Sequence, residues 1–258
     1  MYSLDNILII GAGAMGSAIA RGLAKAGIRT SIYNRSEDRL EKLREVSDLR
    51  TYTVLTQALY SEQPSLVIVA LPAEASLEMF AKLNGHIPDR CAVATLSPMI
   101  SIGEMKNALP AYSVARIMPN IGITHGQSMT FVCADSDIIG NEIRNLFKSM
   151  GDAVCIAEEK FPAVTALASC GTAYALRYIR ACMQAGVQMG LEASDACRYT
   201  VQTLLGACSL LEDDDKHPES EIDKVCTPGG LTIQGLNALD RGGFSAAVID
   251  AILTSYKK

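Results

Sequence analysis

The sequence predicts an α/β fold in which an N-terminal, doubly wound parallel sheet over residues 1–157 precedes an all-helical domain over residues 158–258. Two observations predict this fold. Short apolar runs alternate with helix-like segments up to about residue 157, and that alternation is typical of a parallel sheet covered by helices on both faces. Beyond that point no segment is typical of a strand, and apolar residues keep a helical spacing to the end of the chain.

The first domain contains eight apolar runs that we expect to be strands: 7–10, 30–33, 52–54, 66–70, 92–96, 113–117, 129–133 and 153–156. The run 66–70 is apolar throughout, as a strand buried on both faces should be. Segments 15–26 and 37–45 have the spacing of helices. In the second domain we expect helices over 162–190, 193–212, 219–225, 231–239 and 244–256.

Composition excludes several classes of protein. With 49% hydrophobic and 20% charged residues, the chain is not a disordered one. A net charge of −5 without Lys/Arg clusters argues against a nucleic-acid partner. No apolar run has the length of a membrane span and the first residues do not resemble an export signal, so we expect a cytoplasmic protein without a membrane partner. The eight cysteines and three histidines lack ligand spacing, which predicts reduced core thiols and no metal.

One long helix of the second domain indicates a partner subunit. Its clearly polar side chains between 174 and 189 share a single narrow stripe: Arg177, Arg180, Gln184 and Gln188. The rest of that helix is apolar and must be covered almost all round. About one hundred residues folded alone could hardly cover it. We therefore expect a partner subunit, and the alternative is the central helix of a monomeric bundle.

A glycine motif directly follows the first expected strand and opens the first helix. Its spacing, Gly-x-Gly-x-x-Gly over residues 11–16, in that strand-to-helix context predicts a dinucleotide site of the Rossmann type. The glycines allow a tight turn and close approach of a pyrophosphate, and the helix N-terminus attracts it. We expect cofactor contacts from Gly11, Gly13, Ala14, Met15 and Gly16. A glycine-rich turn without ligand is the alternative.

The end of the second strand indicates which dinucleotide binds. Asn34-Arg35-Ser36 stands where a site for NAD usually has an acidic residue for the ribose. A guanidinium can pair with a 2′-phosphate, and the Ser36 hydroxyl can help. The pattern favours NADPH, with NADH as the second option. The alternative is a solvated Arg35 without a ligand.

Three later strand ends should face the same cofactor, because ligands of open α/β sheets bind at the carboxyl ends of the strands. They supply the further candidate cofactor residues Ala70, Leu71, Pro72, Ser97 and Asn120. The Asn120 amide is expected to orient the nicotinamide carboxamide or a water molecule. Each segment is otherwise an ordinary turn from strand to loop.

A loop of the second domain is a candidate anion site. Gly229 and Gly230 leave room for a ligand, and successive N–H groups around a turn into a helix form a concavity for an anion. The hydroxyls of Thr227 and Thr232 add donors. The alternative is a Pro-Gly-Gly loop that merely precedes a helix. The charge run 212–216 upstream is typical of a solvated loop.

Taken together, these motifs resemble the pyrroline-5-carboxylate reductase family over essentially the whole chain. The N-terminal likeness lies in 11–16, 34–36, 70–72 and 116–120, and the more specific likeness lies in 169–174, 185–191, 202–207, 223–232 and 235–244. The resemblance implies reduction of the cyclic imine 1-pyrroline-5-carboxylate to L-proline by NADPH or NADH. It also implies a homodimer with the small imino acid at its interface, and larger rings of dimers are common in the family.

The resemblance also assigns substrate residues. It places the substrate carboxylate at Gly230, Leu231 and Thr232, with Thr227 and Thr232 as the candidate catalytic hydroxyls. Thr172 belongs to the small-residue motif of the substrate pocket, and Asp215 falls where the family carries an acid near the substrate nitrogen. A carboxylate there would favour the iminium form. The sequence departs from the family pattern around the cofactor and the pocket: at Leu71, Ser97-Pro98, Ile121-Gly122, 169–172 and Leu231.

Of three other functions, the first is disfavoured and two stay open at this point. A β-hydroxyacid dehydrogenase would carry a lysine in the long interdomain helix, and residues 165–189 contain none. A related imine or ketimine reductase would act on another cyclic substrate. A regulator without activity would bind NADP(H) and use the same fold.

Overall fold

The computed structural model describes residues 4–212 and 216–256 and divides the chain into two compact units, Met1–Ser169 and Cys170–Lys258. The division falls after the predicted border at 157/158. The cause is Phe161, whose ring is buried with Met118 and Phe131 in a small cluster of the first unit. Residues 158–169 therefore belong to the first unit by packing.

The first unit is built on one eight-stranded sheet in the order β3-β2-β1-β4-β5-β6-β7-β8. The strands are β1 Asn6–Ile10, β2 Arg29–Tyr33, β3 Leu49–Tyr52, β4 Leu66–Val69, β5 Ala92–Thr95, β6 Val114–Met118, β7 Ser128–Ala134 and β8 Gly151–Cys155. The chain thus has the expected strands, and only the third is displaced, starting at Leu49. The helices of this unit are α1 Ala14–Lys25, α2 Leu55–Glu62, α3 Ala73–Leu83, α4 Ile102–Ala108, α5 Asp137–Phe147 and α6 Phe161–Val164.

Both faces of the sheet are buried, which the alternation of side chains along β1 demonstrates. Ile7 and Ile9 enter one apolar cluster, and Leu8 and Ile10 enter the cluster on the other side. Since successive side chains of a strand point to opposite faces, an unbroken apolar strand requires helices on both. The N-terminal unit is therefore a doubly wound Rossmann-type sheet, as predicted.

The sheet departs from the parallel pattern at one pair of strands. β6 and β7 run antiparallel, and all other neighbours are parallel. Only residues 119–127 join these two strands. A parallel crossover needs about a dozen residues or more. The short connection therefore forces the chain to reverse.

The prediction of a helix over 37–45 was wrong. The segment forms two short 3-10 turns, Glu37–Arg39 and Glu41–Leu43, in place of an α-helix. The side chains of Leu40 and Leu43 are fully buried. Residues three apart share a face in the 3-10 conformation, which explains how both reach the core from a short segment.

A buried carboxylate at the end of α2 joins that helix to residues of β1, β2 and β3. Glu62 is fully buried and accepts hydrogen bonds from Arg29 (3.0 Å), Arg50 (3.3 Å) and Tyr52 (2.5 Å). Burial alone would raise the pKa of Glu62, but these three donors outweigh it and lower that pKa below its ordinary value. Asn6 also donates to the Glu62 carbonyl. The cluster fixes α2 to the edge of the sheet.

The second unit contains only helices in its described part: α7 Gly171–Gln188, α8 Ala193–Ser209, α9 Pro218–Val225, α10 Leu231–Arg241 and α11 Phe244–Ser255. The all-helical prediction for this part of the chain is confirmed. Residues Thr165–Cys170, just before α7, form a π-helical turn that the periodicity did not predict. Tyr174 on α7 donates to the carbonyl of Ala251 on α11, which ties the first and last helices of the unit together.

Across the residues described, no helix has both the length and the apolar composition to cross a membrane. In the same ranges, no three His, Cys, Asp or Glu side chains are grouped as metal ligands. All eight cysteines are free, but only Cys91 is buried, so the expectation of core thiols holds for one of them. Burial raises the pKa of the Cys91 thiol to about 12.

Candidate cofactor and substrate sites

The glycine motif forms the turn between β1 and α1. Gly11 has a φ of +110°, a left-handed conformation that favours glycine, and a Cβ there would lie 2.7 Å from the Ala70 carbonyl oxygen. A Cβ on Gly16 would lie 2.0 Å from the Gly11 carbonyl oxygen. By contrast, a Cβ on Gly13 would meet no heavy atom within 4 Å. Gly11 and Gly16 are thus required by packing, whereas Gly13 leaves open space in front of the helix.

That open space lies at the N-terminus of α1. Gly13 is the N-cap, has no side chain to accept from the free N–H groups, and the first turn carries no acidic residue. Unsatisfied N–H groups and the positive end of the helix dipole favour an anion. The turn therefore fits a pyrophosphate, as the motif predicts.

The loop after β2 is attached to the glycine turn by Asn34. Its Oδ1 accepts from the Ala12 N–H (3.0 Å), and its Nδ2 donates to the Ser36 carbonyl (2.8 Å). Arg35 and Ser36 are exposed at the end of β2. The Asn34 side chain thus holds the turn in place, while Arg35 and Ser36 stay exposed to solvent.

The carboxyl ends of β4, β5 and β6 meet in a cleft of about 500 Å³ beside the glycine turn. The structure brings together five predicted cofactor residues there: Met15, Ala70, Leu71, Pro72 and Ser97. It does not bring Asn120 to the cleft lining. The Asn120 amide instead accepts from the Gly122 N–H (3.0 Å) and donates to the Ala168 carbonyl (3.3 Å).

Met118 and Pro119, from the third strand end expected to face the cofactor, contribute apolar lining after β6. Sequence reasoning missed Thr165 and Ser169, which line the cleft from the π-helical turn. The Thr165 hydroxyl donates to the Phe161 carbonyl (2.7 Å) and lies 2.9 Å from the Met118 sulfur. A regular helix was expected here. A π-turn is not visible in helical periodicity, although such turns are frequent at functional sites.

A second groove of the first unit lies elsewhere. It measures about 620 Å³ and runs along α1 past Ser17, Arg21 and Lys25. Ala14 is its only predicted site residue among the described lining. Met15 of the glycine motif and the ends of β4, β5 and β6 line the smaller cleft, which makes that cleft the candidate cofactor site.

In the second unit the candidate substrate loop forms a tight turn. The Gly230 N–H donates to the Thr227 carbonyl (2.9 Å), and Gly229 has a φ of +71°. Gly230 is the N-cap of α10, with no side-chain cap, and Leu231 and Thr232 begin the helix exposed. The loop therefore offers free N–H groups and hydroxyls to an anion.

Two other predicted substrate residues belong to this unit. Thr172 lies partly buried in the first turn of α7. Asp215 lies outside the described residues. The structure therefore places Thr172 on a helix and leaves the electrostatic role of Asp215 a prediction.

The helices of the second unit expose large apolar side chains. Leu176, Leu205 and Leu253 each have more than half of their surface exposed. Within the described part of these helices, only Gly186, Ala196 and Glu221 are buried. Exposed apolar surface of this extent is typical of a protein interface.

Two family models match separate parts of this chain. A family model described as pyrroline-5-carboxylate reductase dimerisation matches residues 158–258, and one described as NADP oxidoreductase coenzyme F420-dependent matches residues 6–98. The chain is 32% identical to pyrroline-5-carboxylate reductase 2 of Dictyostelium discoideum, covering 98% of this chain and 91% of that protein. It is 29% identical to pyrroline-5-carboxylate reductase 2 of Bacillus subtilis, covering 99% and 94%.

Solved structures agree with this likeness. The 1-pyrroline-5-carboxylate reductase of Streptococcus pyogenes superposes with a TM-score of 0.83 at 29% identity, covering 97% of this chain and 96% of that one. The Plasmodium falciparum pyrroline carboxylate reductase with NADP bound has a TM-score of 0.84 at 21% identity, covering 99% and 97%. At 21% identity, the likeness to the Plasmodium falciparum protein shows a shared fold alone.

Substitutions at two glycines distinguish the packing requirement of the glycine turn from its role in NADPH binding. Gly13→Ala should keep the free energy of unfolding within about 1 kcal/mol of wild type but weaken NADPH binding about tenfold or more, because its methyl group occupies the open space. Gly16→Ala should lower the free energy of unfolding by about 1–3 kcal/mol through overpacking. Urea unfolding and fluorescence titration with NADPH measure both effects. Gly103→Ala, in α4 and uncrowded, is the control; equal NADPH affinity in Gly13→Ala and wild type would contradict the assignment.

Proposed function

The chain belongs to the pyrroline-5-carboxylate reductase family, and on that premise we propose that it reduces 1-pyrroline-5-carboxylate to L-proline with NADPH. The observation that carries the proposal is a cleft lined by Met15 of the glycine motif and by the ends of β4, β5 and β6, with Gly11 packed against Ala70 and Leu71 of its lining. We further propose that residues 1–157 bind NADP(H) and that residues 158–258 serve dimerisation and substrate binding. The rival imine or ketimine reductase and the inactive regulator are outcomes of the test below.

In the proposed site the first unit holds the cofactor. Gly11–Gly16 accommodate the pyrophosphate, Arg35 and Ser36 bind the 2′-phosphate, and the turns at 70–72 and Ser97 border the nicotinamide. When bound, the cofactor supplies a hydride to the imine carbon while the nitrogen takes a proton. The residues fit that group, since Gly13 is open and Arg35 is exposed.

The second unit is proposed to bind the substrate. The N–H groups of Gly230, Leu231 and Thr232 and the Thr232 hydroxyl hold the carboxylate, with Thr227 as a further donor and Thr172 in the pocket. Asp215 is proposed to favour the protonated imine. Since the protonated C=N is already electrophilic, positioning and exclusion of water supply much of the rate.

We also propose that two copies bury the apolar helices against each other, and that dimers assemble into larger rings. The support is the exposed apolar surface of the second unit and its match to a dimerisation family model. Eight free cysteines support a reducing compartment, so we propose a cytoplasmic location.

Turnover is the direct test. Purified protein, its mass determined by light scattering, should oxidise NADPH in the presence of pyrroline-5-carboxylate, followed by loss of reduced-nicotinamide absorbance. A six-membered cyclic imino acid should react more slowly. Faster reaction with the larger ring would identify the related imine reductase. NADPH binding without turnover of any imine would identify the regulator.

Cofactor choice is tested at Arg35. Arg35→Asp should weaken NADPH binding about ten- to hundredfold, the value of a charge-assisted hydrogen bond of roughly 1.5–3 kcal/mol, and leave NADH binding nearly unchanged. Dissociation constants from nicotinamide fluorescence measure this. Arg39→Asp, four residues further on and also exposed, is the matched control. Equal loss for both dinucleotides would remove the 2′-phosphate role.

The substrate loop is tested at Thr232. Thr232→Ala should raise the KM for the imine about tenfold, since one hydrogen bond to a charged carboxylate is lost, and should leave the Kd of NADPH unchanged. Thr124→Ala, which removes an exposed hydroxyl from the first unit, is the control. Steady-state kinetics decide the point. A variant with weakened NADPH binding and an unchanged KM would move Thr232 out of the substrate site.

A further inference from the structure

A charged side chain is buried inside the sheet of the first unit. Arg116 lies in the middle of β6, whose five residues are all buried, and only 8% of its surface is exposed. A buried guanidinium costs free energy unless it is paired and hydrogen-bonded. An apolar residue at this position would be buried at a lower cost in free energy. The contacts of Arg116 therefore need a reason beyond packing.

Those contacts are directed at two different segments. Arg116 Nη1 donates to Glu158 Oε1 (2.7 Å), and Nη2 donates to the Pro98 carbonyl (2.8 Å). The guanidinium also stacks on the Phe161 ring, 4.4 Å from its centroid. Arg116 Nε, in contrast, has no hydrogen-bond partner among the described residues. The two Nη groups thus make all the directional contacts.

The Pro98 contact fixes a wall of the cofactor cleft. Pro98 lies between Ser97 and Met99 in the turn after β5, and all three line the cleft. Inside the turn, the Ser97 N–H donates to Thr95 Oγ1 (3.1 Å). The bond from Arg116 comes from the neighbouring strand and holds the exposed part of the turn against the sheet.

Glu158 fixes the other end of the same segment. Its Oε1, which accepts from Arg116, also accepts from the N–H of Ile102, the first residue of α4 (2.8 Å). One ion pair therefore holds residues 98–102 at both ends, at Pro98 through the cation and at Ile102 through the carboxylate. Between them, Met99 is left exposed at the cleft.

From this arrangement we propose that Arg116 and Glu158 are positioning residues of the reductase, which hold the turn 97–102 against the nicotinamide. The proposal rests on the proposed function, in that the turn borders the nicotinamide. Displacing a bordering wall by a fraction of an ångström lowers the share of complexes in reactive geometry. The pair should accordingly affect the chemical step more than the binding of NADPH.

The experiment compares four variants in the full-length protein. Arg116→Lys keeps the charge but loses the planar fork that reaches two acceptors. Glu158→Ala removes the carboxylate, and Glu158→Gln keeps an oxygen that can accept from Arg116 and Ile102. Arg29→Lys is the matched control, because it changes the partner of the buried Glu62 at the far end of the sheet.

Arg116→Lys and Glu158→Ala should lower kcat about tenfold, with the Kd of NADPH within about twofold of wild type. The primary deuterium isotope effect on hydride transfer should rise in both, and the fluorescence anisotropy of bound NADPH should fall. Glu158→Gln should restore most of kcat, and Arg29→Lys should change neither kcat nor anisotropy.

Lower thermal stability in Arg116→Lys and Glu158→Ala, with kcat per folded enzyme, isotope effect and anisotropy all at wild-type values, would overturn the proposal. Failure of Glu158→Gln to restore kcat would also count against it. If wild-type protein binds NADPH but reduces no imine, the proposed function fails instead. The anisotropy of bound NADPH then still decides whether the pair positions the nicotinamide.

Discussion

The structure of the first unit depends on the close approach of the glycine turn to the end of β4. The Gly11 backbone lies so near the Ala70 carbonyl that a side chain cannot fit, and Gly16 lies still closer to the Gly11 carbonyl. This contact brings the N-terminus of α1 beside the strand ends that form the cleft. The proposed pyrophosphate site and the proposed border of the nicotinamide site thus depend on one backbone packing requirement.

The two units differ in how much apolar surface they bury within the chain. The first buries apolar side chains on both faces of its sheet and has a core of its own. The second has three buried residues in its described helices and large exposed leucines. It therefore gains little free energy from burying apolar surface among its own helices. If the proposed dimer forms, association and folding of this unit are thermodynamically coupled.

Much of the fold could be predicted from the sequence, because the hydrophobic periodicity and the turn-forming residues indicate the same helices and strands along most of the chain. The exceptions have local causes. The segment 37–45 has helical spacing, yet burial of Leu40 and Leu43 within a short connection produces 3-10 turns. β7 was an expected strand, but its direction depends on connection length. Among site residues, Thr165 and Ser169 were missed because a π-turn leaves no mark on periodicity, and the Asn120 amide is taken up by local hydrogen bonds that only the folded chain reveals.

The two outer strands of the sheet also determine how copies of this chain can meet. β3 and β8 are the edges, and each carries an exposed charge, Arg50 in β3 and Asp152 in β8. Charged side chains on an edge discourage strand addition from a neighbouring molecule, because pairing would remove water from the charges. Continuation of the sheet from one molecule into the next is therefore disfavoured at both margins, and edge-to-edge aggregation is disfavoured with it.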